Sequence, residues 1–199
     1  MPIQQTLLRG YGVSYKVTGG RGVIPGGEAP GGSFTTAIDY ITIASAANAS
    51  DFGDLTVARG MSATCSNGSR GCSMGGKYPA MTNTIDYITF GSLGNATDFG
   101  DTAGSQSGSG GVGSKIGRGV VMGGDPGPAR DRISYIQIDT TSNTSNFGDL
   151  SSLRAYNQVV GNGTRAVCCG GEQVPGNTTM EYVTVATTGD ASSFGNLAT

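Results

Sequence analysis

The sequence predicts an all-β fold made of one four-stranded unit written four times. Three observations carry this. Glycine supplies 36 of the 199 residues, and because each glycine inside a helix costs roughly 1 kcal/mol, few positions suit a helix interior. The stretches AIDYITIASAANASDFGD (Ala37 to Asp54) and TIDYITFGSLGNATDFGD (Thr84 to Asp101) are nearly the same text, and self-similarity at a fixed period marks one structural unit built repeatedly. IDYITI and its copies are read as a strand of two-residue period with one apolar face.

Alignment on a glycine doublet resolves the array. RGVIPGG begins at Arg21, RGCSMGG at Arg70, RGVVMGG at Arg118 and RAVCCGG at Arg165, with periods of 49, 48 and 47 residues. This is strand B. A variable loop follows, then strand C as IDYITI, IDYITF, ISYIQI or MEYVTV. Twelve residues after each strand C tyrosine a phenylalanine returns on element D: Tyr40 with Phe52, Tyr87 with Phe99, Tyr135 with Phe147, Tyr182 with Phe194. Arg59, Gln106 and Arg154 open the next element, A, and the N-terminal LLRGYGVSYKV matches it through Arg9. The register A, B, C, D divides the chain into repeats of approximately 6–54, 55–101, 102–149 and 150–199, after a short arm at 1–5.

Such a unit cannot bury both of its faces alone. Stacked equivalents bury them, and radial stacking closes a propeller of typically 4 to 8 blades. The expectation is therefore one domain, a four-bladed β-propeller of four-stranded antiparallel blades, with a homo-oligomer of two chains forming a larger ring left open.

The glycine doublets after strand B, the aromatic on strand C, the second aromatic a dozen residues on and the arginine before the following unit together resemble kelch repeats over nearly the whole chain. Phenylalanine stands where kelch blades usually carry tryptophan, which this chain lacks. The wording IDYITI…NATDFGDL also resembles kelch-like repeats in virion proteins of marine tailed bacteriophages, including phages of cyanobacteria. That resemblance implies a structural protein of a virion, made in the cytoplasm of a bacterial host.

Composition excludes several function classes. Twelve basic and fourteen acidic residues, net charge -2 with no block of like charge, argue against a nucleic-acid footprint or a polybasic membrane contact. No N-terminal basic and apolar leader and no run near the ~18 apolar residues of a membrane span is present, so a soluble protein made in the cytosol is expected. Absence of histidine removes the usual general base, the Ser-His-Asp arrangement and most catalytic zinc and copper sites. No catalytic residue, metal or cofactor is expected. Cys65 and Cys72 flank SNGSRG, a hairpin turn, and face each other as a disulfide or, favoured without an export signal, as buried thiols. Cys168 and Cys169 fall on opposite strand faces. Sequons at Asn48, Asn67, Asn95, Asn143, Asn162 and Asn177 are read as turn chemistry.

Seven of nine arginines occupy repeat-equivalent positions: Arg9, Arg59 and Arg154 on A, and Arg21, Arg70, Arg118 and Arg165 on B. They are expected to hold the blades together by binding loop carbonyls or the recurring Asp54, Asp101 and Asp149. The DFGD stretches lack the histidine-containing catalytic segment of a kinase. The later copies SNFGD and SSFGN lose carboxylates, against calcium. An aspartate-initiated turn before a buried phenylalanine is expected instead.

The freely varying segments are the B to C loops, which share one end of the array with the D to A connections if strands alternate in direction. They hold Glu28 and Pro30; Lys77, Tyr78 and Pro79; Asp125 and Arg130; Glu172 and Pro175. Loops on a rigid scaffold are where function is usually placed, and proline limits the entropy lost on binding. The expected function is a non-enzymatic interaction module of the particle, a capsid decoration or a tail or fibre component, meeting other virion proteins or a host surface glycan. The competing reading is a carbohydrate-binding or carbohydrate-cleaving propeller, using loop carboxylates such as Glu28, Asp125, Asp131 and Glu172. A cellular kelch adaptor ranks third.

Overall fold

The computed structural model describes residues 20–77, 79–114, 116–125, 131–172 and 178–198. Arg9, the 1–5 arm, Tyr78, Arg130 and Pro175 lie outside them. The described residues form four antiparallel sheets and no helix. Sheet 1 holds β1 (Arg21–Glu28), β2 (Phe34–Thr42) and β3 (Ser50–Asp54); its expected strand A falls on residues not described. Sheet 2 holds β4 (Ala63–Ser66), β5 (Arg70–Met74), β6 (Thr84–Thr89) and β7 (Thr97–Asp101). Sheet 3 holds β8 (Gly110–Gly113), β9 (Arg118–Met122), β10 (Arg132–Gln137) and β11 (Ser145–Asp149). Sheet 4 holds β12 (Gln158–Gly161), β13 (Arg165–Cys169), β14 (Thr179–Thr184) and β15 (Ser192–Asn196). Strands pair in chain order within each sheet, so the 47- to 49-residue period is the period of the sheets.

Among the described residues the core is divided into three clusters, one between each pair of successive sheets. Ile38, Phe52 and Leu55 of sheet 1 pack with Ile88 and Ala96 of sheet 2. Cys65, Met74, Ile85 and Phe99 of sheet 2 pack with Val121, Ile136 and Ile138 of sheet 3. Val112, Met122 and Phe147 of sheet 3 pack with Val159, Cys168 and Val183 of sheet 4. Ile85 therefore faces forward along the array while Ile88 on the same strand faces back. This corrects the reading of strand C as a strand with one apolar face, while the cover of sheets 2 and 3 on both sides is what stacking of equivalent units implies.

The first strands of sheets 2, 3 and 4, β4, β8 and β12, lie against one another in turn. Their approach is close enough that a Cβ at Gly113 would fall 1.8 Å from the Ser66 carbonyl oxygen, which explains the glycine-rich text GGVG of β8.

A second correction concerns DFGD. In each sheet this text is the outer strand rather than a turn, and the register slips by one residue at the phenylalanine: Ile38 opposes Gly53 while Asp39 opposes Asp51, with the same slip in the other three sheets. The phenylalanine is the extra residue of a β-bulge, which re-aims its side chain. Each ring then meets its tyrosine edge to face at 5.9 to 6.1 Å, a geometry worth about 0.5–1.5 kcal/mol beyond burial.

Candidate interaction face and the junctions behind it

Three of the four strand B arginines act between sheets. Arg21 Nη1 donates to the Phe90 carbonyl at 2.9 Å, Arg70 to Ile138 at 3.0 Å and Arg118 to Val185 at 2.8 Å, each acceptor on the following sheet. The same guanidinium groups lie over Tyr40, Tyr87 and Tyr135, and Arg165 lies over Tyr182, at 4.1 to 4.9 Å from the ring centres. Carbonyl binding was one expected role. The other, binding to Asp54, Asp101 and Asp149, is not seen among the described residues, where Asp54 Oδ1 accepts the Thr36 hydroxyl.

The arginines of element A act within sheets. Arg59, just ahead of β4, pairs with Asp86 on β6 at 2.8 Å, and Arg154 pairs with Glu181 on β14. Asp86 also accepts the Thr56 N–H and hydroxyl, so it pins the connection arriving from sheet 1. In sheet 3 the same two positions are Gln106 and Ser134. The cation and the carboxylate are present together or absent together, a signal that comparing the repeats position by position would have revealed.

The outer edges of sheets 1, 2 and 3 are closed by the next sheet. The carbonyls of Phe52 and Asp54 accept N–H groups from Gly94 and Ala96 at 2.8 and 2.7 Å, and Asn95 Oδ1 accepts the Asp54 N–H. Asn143 and Asp190 serve Asp101 and Asp149 in the same way. Asn67 and Asn162 do fold local turns, each accepting two N–H groups at Oδ1.

The candidate face is the end of the array where B to C and D to A connections emerge together. Lys77 exchanges backbone bonds with Gly60, Asp125 with Ser107 and Glu172 with Ala155, so each B to C loop starts by zipping to the connection that precedes its own sheet. Glu28 ends β1, and Pro30 lies in the turn closed by the Ala29 N–H donating to the Ser33 carbonyl. Glu28, Pro30, Lys77, Pro79 and Glu172 are exposed, and Asp125 is half-buried. On this end Gly108 N–H donates to Met61 and Tyr156 N–H to Gly108, at 2.9 and 2.7 Å. Met61 and Tyr156 take left-handed backbone with φ of 58° and 54°. With Gly171 and Glu172 they line a depression that the sequence did not announce.

Among the described residues no three Cys, Asp or Glu side chains gather as a metal would require. An apolar cavity of ≈ 250 Å³ lies between sheets 1 and 2, lined by Val23, Ile38, Cys65 and Phe90, and the carboxylate on its wall, Asp86, already holds Arg59. The four cysteines are free thiols. Cys65 and Cys72 are direct cross-strand partners, and the contact with Cys72 together with burial pushes the Cys65 thiol well up. Cys168 is buried and Cys169 half-buried on the opposite face. No protein-family profile matches the chain, and no curated protein matches it.

Proposed function

We propose that the chain is a non-enzymatic, kelch-like β-propeller module of a tailed-phage virion, a capsid decoration or a tail or fibre component that meets its partners through the B to C loops. The four sheets are its blades, and the contacts of sheets 1 with 2, 2 with 3 and 3 with 4 are three of its junctions. One observation carries the reading. The repeat-equivalent arginines within the described residues are engaged inside the scaffold, with carbonyls, aromatic rings or a carboxylate of the same array. The loops beside Lys77, Asp125 and Glu172 are left as the part that varies without disturbing the sheets. The phrase IDYITI…NATDFGDL supports placement in a phage particle.

The test is mass spectrometry of purified virions of the phage that encodes the chain. Recovery at many copies per particle places it on the capsid, and at few copies in the tail; absence from the particle overturns the proposal. Alanine at Tyr78 and Arg130 is expected to weaken attachment, since aromatic and guanidinium side chains dominate binding hot spots. Specific retention on a glycan array with hydrolysis of the bound sugar would replace it with the enzymatic reading.

A further inference from the structure

Among the described residues, one face of sheet 4 and one face of sheet 1 are open where the equivalent faces of the other sheets are covered. On the forward face of sheet 4, Phe194 is 50% exposed, whereas Phe52, Phe99 and Phe147 are each 2% exposed beneath a following sheet. Leu197 and Val160 are open in the same way, although their equivalents Leu55 and Leu150, and Cys65 and Val112, are buried. On the backward face of sheet 1, Ile43 is 64% exposed, while Phe90, Ile138 and Val185 at the same repeat position are 8%, 0% and 1% exposed. Ile41 is exposed beside it.

Polar groups repeat this complementarity. Arg165 lies over Tyr182 as its three equivalents lie over theirs, yet among the described residues it meets no carbonyl of a following sheet. The acceptor position that Phe90, Ile138 and Val185 fill belongs to Ile43 on sheet 1. Asn95, Asn143 and Asp190 each take an outer-strand N–H of the preceding sheet; their equivalent on sheet 1 is Asn48, exposed, and the matching donor is the N–H of Asn196.

We infer that the forward face of sheet 4 binds the backward face of sheet 1 on a second copy of this chain, head to tail, by the junction already formed three times within the chain. The occupant is specified by continuity with those junctions. A face built to cover Phe52, Phe99 and Phe147 is the surface that fits Phe194, and among the described residues the backward face of sheet 1 is such a face left open. The contact is heterologous, so it closes a ring where the rotation permits and otherwise extends a row. The inference rests on the repeat junctions alone and holds whether or not the chain belongs to a virion.

The test uses the full chain and two variants, Phe194→Glu and Ile43→Glu, both at exposed positions, with circular dichroism confirming that each retains its sheet content. Sedimentation velocity across a wide range of concentration is expected to show wild-type association. Either charge, brought into an apolar junction without a partner, should weaken association at least tenfold and leave the variant monomeric. The decisive arm mixes the two. Ile43→Glu keeps an intact forward face and Phe194→Glu an intact backward face, so the mixture forms a heterodimer and goes no further. A monomeric wild type, with no complex on mixing, overturns the inference. Association of either variant with itself overturns it as well, because head-to-tail contact needs both faces.

Discussion

The Arg59 guanidinium meets the Asp86 carboxylate at 2.8 Å with both side chains sealed from water. Breaking a buried pair by removing one partner leaves an uncompensated charge and costs about 3–5 kcal/mol. Asp86→Ala is therefore expected to lose that much in urea unfolding, more so because Thr56 loses its acceptor. The double variant Arg59→Gln, Asp86→Ser copies what sheet 3 carries at Gln106 and Ser134, and should recover most of the loss. A double-mutant cycle reads the coupling directly.

Phe99 and Phe194 occupy the same place in their repeats and differ in cover. Phe99→Ala removes a ring buried between sheets 2 and 3 and paired with Tyr87, at a cost of about 3–5 kcal/mol. Phe194→Ala in dilute, monomeric protein should cost under about 1.5 kcal/mol. Chemical denaturation of the two variants side by side checks the difference.

Gly100 lies where sheet 3 approaches the outer strand of sheet 2. A Cβ there would sit 2.6 Å from the Ser142 carbonyl oxygen, on backbone with φ of 139°. Gly100→Ala is expected to destabilise by more than about 2 kcal/mol. Gly91→Ala, where a Cβ meets nothing within 4 Å, should be nearly neutral. Thermal unfolding of both variants is the measurement.

Burial pushes the Cys168 thiol up from 9.0 to about 11, partly opposed by the Asn157 amide that donates to its sulfur. The folded-state value is raised, so the unfolded chain releases this proton first. The stability tied to the neutral thiol is complete below about pH 9 and is lost as pH rises through about 11, an effect of order 2 kcal/mol. Urea unfolding across that range should fall less steeply for Cys168→Ala than for wild type. Equal slopes would remove Cys168 as the cause.

The spacing of glycine doublets, tyrosines and phenylalanines made four sheets legible, because each unit repeats one hydrogen-bonded ladder and so repeats its turns. The pairing of Tyr40 with Phe52 was legible too, as a recurring spacing. The bulge was not. DFGD contains aspartate and glycine, which favour turns locally, and only the ladder formed with strand C decides that the segment is an edge strand with Phe52 displaced. The arginines were legible as scaffold but not their partners, since Phe90 and Asp86 are distant in sequence and the acceptor in one case is a backbone carbonyl that leaves no side-chain signature. The exposure of Phe194 was invisible for a plain reason: its repeat is written like that of Phe99, whose ring a following sheet covers.

The bond from Arg70 to Ile138 reads a peptide oxygen and ignores the side chain that carries it, as Arg21 and Arg118 do at Phe90 and Val185. A joint of this kind makes the units interchangeable in order and in number. Duplicating or deleting a whole unit in the gene would leave every remaining seam with a suitable neighbour, so the length of the array is free to evolve in steps of one sheet while the loops it displays diverge independently.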